Sequence, residues 1–551
     1  MNKFPFETRT VHSLVKVFAD EPLNAEPFQQ ASALLNETYS FQLAYRSDRQ
    51  VKHVRAEAKS ALPGLMTIRE VGLVPADFPI YADHDGFLLR DTPGLYPDPL
   101  YPINGGLVCL PNQWRALWVT VEPDSGAVPG SYDIALSLES EEGETLGAAT
   151  FELELLPASL PPQSLIHTEW FHTDCIATHY NVDVWSEEHW RLVEKFVRTA
   201  VNSGINMLLT PLFTPPLDTR IGGERPTVQL IDVEKSGSGY SFGFERLQRW
   251  VNMARAAGVE YFEMSHLFTQ WGAKHAPKVV GTVNGSEEKL FGWETDAAGD
   301  EYGSFLEQFL PELVRFIERN GLKDSVYFHV SDEPTMHSID SYRSASELLQ
   351  RHIKGFKVFD ALSEYEFYEQ GLVPIPVPAN NHIEPFLEHG VENLWTYYCC
   401  VQYKGVANRF FAFPSVRSRI LGMQLYKYNI VGFLQWGYNF WYTQYSTKAI
   451  DPFRVTDAEG SFPAGDAFIV YPGPDGPLES LRLQVMREAL QDLRALQGLE
   501  QHIGRAAVME LLEEGLDSPL TFSSYPQEAD WLLRKREQIN HKLTEVSVLT
   551  T

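Results

Sequence analysis

Two neighbouring carboxylates, Asp332 and Glu333, are the sharpest chemical feature of this 551-residue chain. An Asp-Glu pair alone means little, because composition predicts roughly two in a chain this acidic, and three occur. Asp20-Glu21 is also followed by proline, and it reads as a turn closing a strand. Asp332-Glu333 differs in context. It follows the apolar run Val-Tyr-Phe-His-Val at 326–330 and precedes a helical pattern from Ser338. That is where a (β/α)8 barrel keeps its catalytic groups. One carboxyl of such a pair stays protonated because its neighbour's charge raises its pKa, and it can protonate a leaving oxygen. Ordinary retaining glycosidases place a nucleophile about 5–5.5 Å from the acid, across the anomeric carbon. Adjacent residues fit that poorly. They fit a division of labour in which a substrate's own 2-acetamido oxygen attacks. One carboxyl then protonates the glycosidic oxygen, while the other holds the acetamido N–H and steadies the oxazolinium cation.

Other reactive side chains stand at the ends of other apolar runs. Glu169, Trp170, Phe171, His172 and Asp174 close the first run, and His266, with Trp271 beyond, closes the third. His329 belongs to the fourth. Trp395, Tyr397 and Tyr398 close the seventh, and Gln435, Trp436, Tyr438, Asn439 and Trp441 the eighth. Aromatic rings cover the apolar C–H face of a pyranose and polar groups fix its hydroxyls, so the set predicts a sugar site. Tyr397 or Tyr398 could donate to an acetamido oxygen, or serve equally as a core or rim aromatic. Two rival readings stand beside this one. An ordinary double-displacement glycosidase would use Glu169 or Asp174 as nucleophile, and a carbohydrate-binding protein would keep the barrel without turnover. His172, His266 and His329 could be drawn as a metal triad. No His-Glu-X-X-His or closely spaced ligand pair supports it, so no metal or cofactor is expected. Residues 237–243 have the wrong spacing for a phosphate loop and read as a hairpin loop, and an α/β-hydrolase is disfavoured.

Cations number 45 and acids 73, a net charge of −28, which disfavours nucleic acid and anionic membranes as partners. A small carbohydrate remains compatible. No signal-like or membrane-length apolar run is present, so a cytoplasmic location is expected. The four cysteines, Cys109, Cys175, Cys399 and Cys400, form no Cys-X-X-Cys pair and read as packing thiols. Arg417 and Arg419 are expected to pair with acids on a helix.

The elements that must position these groups fall into two large parts. Before residue 160, short segments alternate apolar and polar side chains, near 11–18, 39–46, 51–57, 116–122, 134–138 and 151–155. This predicts half-buried strands and a β-sandwich over 1–158. The proline-rich stretch 156–163 reads as a linker. Beyond it the rhythm becomes strand then helix. Strands are expected at 165–170, 206–212, 261–268, 326–330, 357–362, 373–377, 393–398 and 430–436. Helices are expected at 186–203, 244–257, 304–320 and 338–353. Eight such strands predict a (β/α)8 barrel over 164–505, with a doubly wound sheet as the alternative. A long helix from Ser480 and a helical extension over 506–551 complete the chain.

The segment Tyr-Phe-His-Val-Ser-Asp-Glu-Pro at 327–334 resembles the catalytic motif of glycoside hydrolase family 123, the β-N-acetylgalactosaminidases. So do Gly-Phe-Leu-Gln-Trp-Gly-Tyr-Asn-Phe-Trp at 432–441 and the run from Gly465 to Leu483. Ser-Phe-Gln-Leu-Ala at 40–44 and Gly-Leu-Tyr-Pro-Asp-Pro-Leu at 94–100 are similar to that family's sandwich domain. The resemblance implies a sandwich followed by a catalytic barrel, and retaining, metal-free, acetamido-assisted removal of terminal β-linked N-acetylgalactosamine or another 2-acetamido sugar. It makes Glu333 the general acid/base and Asp332 the residue that orients the acetamido group, with Trp436 and Asn439 lining the sugar site. The chain departs from the family pattern at Gln484, where a Glu is usual, and at Glu488-Ala489, where Asp-Gly is usual.

Overall fold

The computed structural model describes residues 6–549. Its first ten strands form two five-stranded sheets. One runs in the order Phe6–His12, Tyr39–Ser47, Arg115–Pro123, Gly64–Ala76, Gly94–Pro102. The other runs Gln30–Leu34, Thr145–Leu156, Gly130–Glu139, Val51–Lys59, Leu107–Cys109. Alternation turns Phe41, Leu43 and Leu117 of one sheet toward Ile134, Leu136 and Phe151 of the other. The Phe41 and Phe151 rings stack with centroids 4.0 Å apart. This is the expected β-sandwich. Its first strand ends at His12 rather than extending over 11–18. Gly94–Pro102 is a strand despite Pro97, Pro99 and Pro102, because it lies at a sheet edge where a missing N–H is tolerated.

Eight parallel strands follow, each within or overlapping an expected segment: Ile166–Glu169, Met207–Thr210, Tyr261–Met264, Val326–Phe328, Lys357–Leu362, Ile375–Pro378, Trp395–Tyr397 and Gly432–Gln435. In space the sixth and seventh are the outermost of the ladder, and they meet each other. Asn380 N donates to Tyr397 O at 2.9 Å, and Thr396 Oγ1 to Pro378 O at 2.9 Å. The sheet therefore closes into a barrel, and the doubly wound alternative, which keeps two open edges, is set aside.

The helix Glu187–Asn202 is capped by Ser186, whose side chain accepts from His189 N. The helix expected from Ser304 begins one turn earlier, at Asp300, with Gly299 as N-cap. Asp300 and Glu301 thus occupy the first turn, where the helix dipole favours acids, and Ser304 with Glu307, although spaced as a capping box, lies inside the helix rather than at its start. Gly239–Gly243 has the letter spacing Gly-X-Ser-X-Gly, but it is the second strand of a hairpin with Asp232–Ser236 and not a strand-to-helix elbow.

Two motifs distant in sequence meet where sandwich and barrel join. Asp98 takes both Arg482 Nε and Nη2, at 2.9 and 2.8 Å, with all partners buried. Ser480 Oγ caps the helix Leu481–Ile503 through Leu483 N. The last helix, Ala529–Leu549, covers the edge strand Gln30–Leu34, with Ser32 Oγ donating to Glu537 Oε2 at 2.5 Å. No helix among the described residues is long and apolar enough to cross a membrane.

Candidate active site

The chain leaves the fourth barrel strand at Phe328 and turns sharply through Asp332 and Glu333. Glu333 has φ 43°, a left-handed conformation that a non-glycine residue rarely adopts and that is held by its surroundings. Those surroundings are identifiable. Trp271 N donates to Asp332 O at 3.0 Å, Ser331 Oγ donates to Thr269 O at 2.9 Å, and Tyr397 OH donates to Glu333 Oε1 at 2.6 Å. Both carboxylates are half-buried and face a cavity of about 190 Å³. Trp170, Tyr397, Leu434 and Trp436 line its inner part, and Trp271 and Tyr445 its mouth. Burial and the adjacent Glu333 carboxylate push the Asp332 carboxyl well above its usual range. The pair therefore resists losing both protons.

Beneath the pair lies a buried polar network. His329 Nδ1 donates to Asp360 Oδ1 at 2.9 Å and Nε2 to Glu263 Oε1 at 2.5 Å. Burial alone would lower the His329 pKa, but the two carboxylates raise it to about 9, so the ring is an imidazolium at neutral pH. Glu263 also receives Trp170 Nε1 at 2.7 Å and Thr168 Oγ1 at 2.5 Å. Asp360 receives Tyr342 OH at 2.5 Å. The network fixes the floor tryptophan and the stem of the Asp332-Glu333 turn. Sequence reasoning missed Glu263 and Asp360. Their signal was a single acid inside an otherwise apolar strand, Tyr-Phe-Glu-Met and Val-Phe-Asp-Ala-Leu.

His266, His329 and Asp360 bring ligand-type atoms within 4.8 Å of one another. The donor set does not suit a metal. The His266 and His329 rings stack at 4.0 Å and 15°, so their in-plane lone pairs cannot converge on one ion, and both His329 nitrogens already face carboxylates. His172 lies apart from them. Its Nε2 donates to Trp436 O and its Nδ1 accepts from Arg225, and burial together with Arg225 lowers its pKa to about 3.

Of the residues expected from sequence, the structure brings Asp332, Glu333, Trp170, Trp271, Tyr397 and Trp436 to the cavity wall. His266 and His329 form the layer below. His172, Tyr398, Tyr438, Asn439 and Trp441 are not on the wall. Asn439 is spent on the His172 backbone, accepting from its N at 2.8 Å and donating to its O at 3.0 Å. Tyr438 OH donates to Phe196 O, and Trp441 Nε1 to Val470 O. Tyr398 is fully buried against Phe433. All five are buried in the packing around the cavity.

Glu169 and Asp174, the rival nucleophiles, are buried and neutralised. Glu169 pairs with Arg409 at 2.8 Å and Asp174 with Arg225 at 2.7 Å. Burial works against ionisation at both, yet the guanidiniums hold both carboxyls below their usual range. The third wall carboxylate is Asp218, whose Oδ2 accepts from Tyr445 N at 3.0 Å and whose pKa burial raises to about 6.

The glycoside hydrolase 123 catalytic domain matches residues 170–499. The chain belongs to glycoside hydrolase family 123. A solved family 123 enzyme from Clostridium perfringens, studied for its hydrolysis of glycolipid glycans, superposes with a TM-score of 0.77 at 16% identity, covering 99% of this chain and 100% of that one. That likeness extends the family match to the sandwich and the terminal helices as fold. Parabacteroides merdae β-glucuronidase (TM-score 0.32, 10% identity, 88% of this chain and 51% of that one) and Thermotoga petrophila endo-β-1,4-mannanase (0.34, 12%, 61% and 77%) are too distant to carry an argument. No curated protein matches. As a family 123 member the chain is a glycoside hydrolase.

Proposed function

We propose that the chain is a retaining exo-glycosidase that removes terminal β-linked N-acetylgalactosamine, with the substrate's 2-acetamido group as nucleophile. The observation that carries this is the pairing of two adjacent half-buried carboxylates in an aromatic-walled cavity, while Glu169 and Asp174 are tied to buried arginines. Asp218 accepts from the Tyr445 backbone, and burial raises its pKa to about 6, so it gives up its proton less readily than an ordinary carboxyl.

In this reading Glu333 enters the cycle protonated. Its O–H protonates the glycosidic oxygen as the C1–O bond breaks, and the acetamido oxygen bonds to C1 from the opposite face. Asp332 accepts the acetamido N–H and balances the oxazolinium charge. Binding of that N–H favours the ionised form of Asp332 and leaves the pair's proton on Glu333. After the alcohol departs, the Glu333 carboxylate takes a proton from water as its oxygen attacks C1. The ring opens and the β configuration is restored. Tyr397 holds the Glu333 side chain in place through both steps.

The test is a panel of 4-nitrophenyl β-glycosides: N-acetylgalactosaminide, N-acetylglucosaminide and galactoside. Cleavage of the first, with no cleavage of the 2-hydroxy galactoside, is expected. Asp332→Asn should lower kcat by roughly 10²–10⁴-fold, and Glu333→Gln by a similar factor for poor leaving groups. Equal turnover of acetamido and 2-hydroxy substrates, or a fully active Asp332→Asn variant, would sink the assisted mechanism.

A further inference from the structure

The cavity has a buried inner end and an exposed aromatic mouth. Trp170, Leu434 and Tyr397 are at most 5% exposed, whereas Trp271 and Tyr445 are 44% and 40% exposed. The two mouth rings stand at 89° with centroids 5.9 Å apart, forming a right-angled corner. Both residues have φ 59°, so each ring is presented by backbone that side chains other than glycine rarely adopt.

That backbone is pinned. Trp271 N donates to the main chain of Asp332, and Tyr445 N donates to Asp218 Oδ2. Ser446 Oγ donates to Asp218 O at 2.7 Å, and Asp218 N donates to Gln270 Oε1 at 2.8 Å. Loops following the second, third and eighth barrel strands are thereby joined into one rim. Gln270 adds an independent sign. It is 6% exposed and lies in the cavity wall, and its Nε2 has no partner. A buried donor left unpaired is costly, and a ligand acceptor would relieve it. The wall also carries Asp218, Asp332 and Glu333 but no Lys, Arg or His.

We propose that Trp271, Tyr445 and Gln270 form a binding subsite for the sugar of the leaving group, selective for a neutral hexose over an acidic one. The inference rests on the exo-glycosidase reading above. A terminal sugar with its anomeric carbon at Asp332-Glu333 fills the inner end, so the next ring leaves through the mouth and meets the aromatic corner. Its apolar C–H face packs on a ring, and a hydroxyl accepts from Gln270 Nε2. A sulfate or uronate on that ring would face the single negative charge of the Asp332-Glu333 pair and the Asp218 carboxylate, with no cation in the wall to compensate.

The experiment measures kcat/KM for methyl β-N-acetylgalactosaminide, for the same sugar β-linked to galactose, and for that disaccharide with a sulfate on the galactose. The native chain should cleave the neutral disaccharide at least about tenfold better than the methyl glycoside and the sulfated disaccharide. In Trp271→Ala and Tyr445→Ala the ratio of disaccharide to methyl glycoside should fall by about tenfold, mainly through KM, and Trp271→Phe should recover much of it. An unchanged ratio in both alanine variants, or equal cleavage of the neutral and sulfated disaccharides, overturns the subsite. Failure of the native chain to cleave any of the three overturns the exo-N-acetylgalactosaminidase reading beneath it.

Discussion

Two consecutive tyrosines show how one residue step separates a side chain in the cavity wall from a packed one. Tyr397 reaches the cavity and its OH donates to Glu333 at 2.6 Å, while Tyr398 is fully buried and its OH has no partner. The alternation of a strand sends neighbours to opposite faces, and the seventh barrel strand ends at Tyr397. Sequence could place both near a strand end but could not tell which faced inward. Tyr397→Phe removes the hydrogen bond that holds the acid, so kcat should drop about tenfold or more, with the fold intact by circular dichroism. Tyr398→Phe removes an unpaired buried hydroxyl. It should leave kcat/KM within about twofold and leave stability unchanged or slightly raised. Steady-state kinetics on both variants checks the pair, and a larger loss in Tyr398→Phe than in Tyr397→Phe would reverse the assignment.

At the level of elements, the third and fifth strands and the residue just past the fourth each supply one charged group to the Glu263–His329–Asp360 network under the Asp332-Glu333 turn. His329 has a folded pKa of about 9 against an ordinary value of 6.5. Its stabilising contribution is therefore complete below pH 6.5 and is lost as pH rises through about 9. Melting temperature should fall over that window. His329→Gln should flatten the dependence and cost about 3–5 kcal/mol at pH 6, because it leaves two buried carboxylates without their cation. Calorimetry between pH 6 and 9.5 reads this directly, and parallel curves for the two proteins would count against the network. The strands themselves were legible: apolar runs bounded by turns gave all eight barrel strands, and Lys357–Leu362 matched to the residue. Helix starts were legible where a serine side chain caps them, as at Ser186 and Ser480. The start of the helix Asp300–Arg319 was not, because its N-cap is a glycine that offers no side-chain signal. Asp332 and Glu333 were legible because two like charges at a strand end break the apolar pattern. Gln270, Asp218 and Tyr445 were not, because they reach the cavity from irregular loops that carry no periodicity.

Across the whole molecule, the parts are joined by buried ions that sequence spacing could not pair. Arg419 lies on a short barrel helix, Asp492 and Glu488 on the helix Leu481–Ile503, Arg536 on the last helix, and Glu37 in the sandwich. Arg419 reaches Glu488 and Asp492 at 2.8 Å, and Arg536 reaches Asp492 and Glu37 at 2.8 Å. Arg419 thus meets acids on a helix as expected, whereas Arg417 pairs instead with Asp85 in a loop. Glu488 and Gln484, the departures from the family pattern, sit in this junction and not in the cavity. Glu488 also accepts from Ser13 of the sandwich, and Gln484 donates to Glu479. Two guanidiniums here face three carboxylates, so one carboxyl is in excess. Burial raises the Glu488 pKa to about 7, Arg419 only partly opposing it. The folded state then keeps a proton that the unfolded chain releases above its ordinary value of 4.5. Stability from this group is complete below pH 4.5 and is lost as pH rises through about 7. Asp218 and Asp466 have pKa values raised to about 6 and 7 and tilt the curve the same way, so the difference between proteins is the informative quantity. Glu488→Gln keeps an acceptor for Arg419 and Ser13 and removes the titration. Its melting temperature should decline less between pH 5 and 8 than that of the native chain. Arg419→Met, which strands Glu488 and Asp492, should cost about 3–5 kcal/mol by denaturant unfolding at pH 8. A native-minus-variant difference that stays flat across pH for Glu488→Gln would show that the excess charge is neutralised elsewhere in the junction.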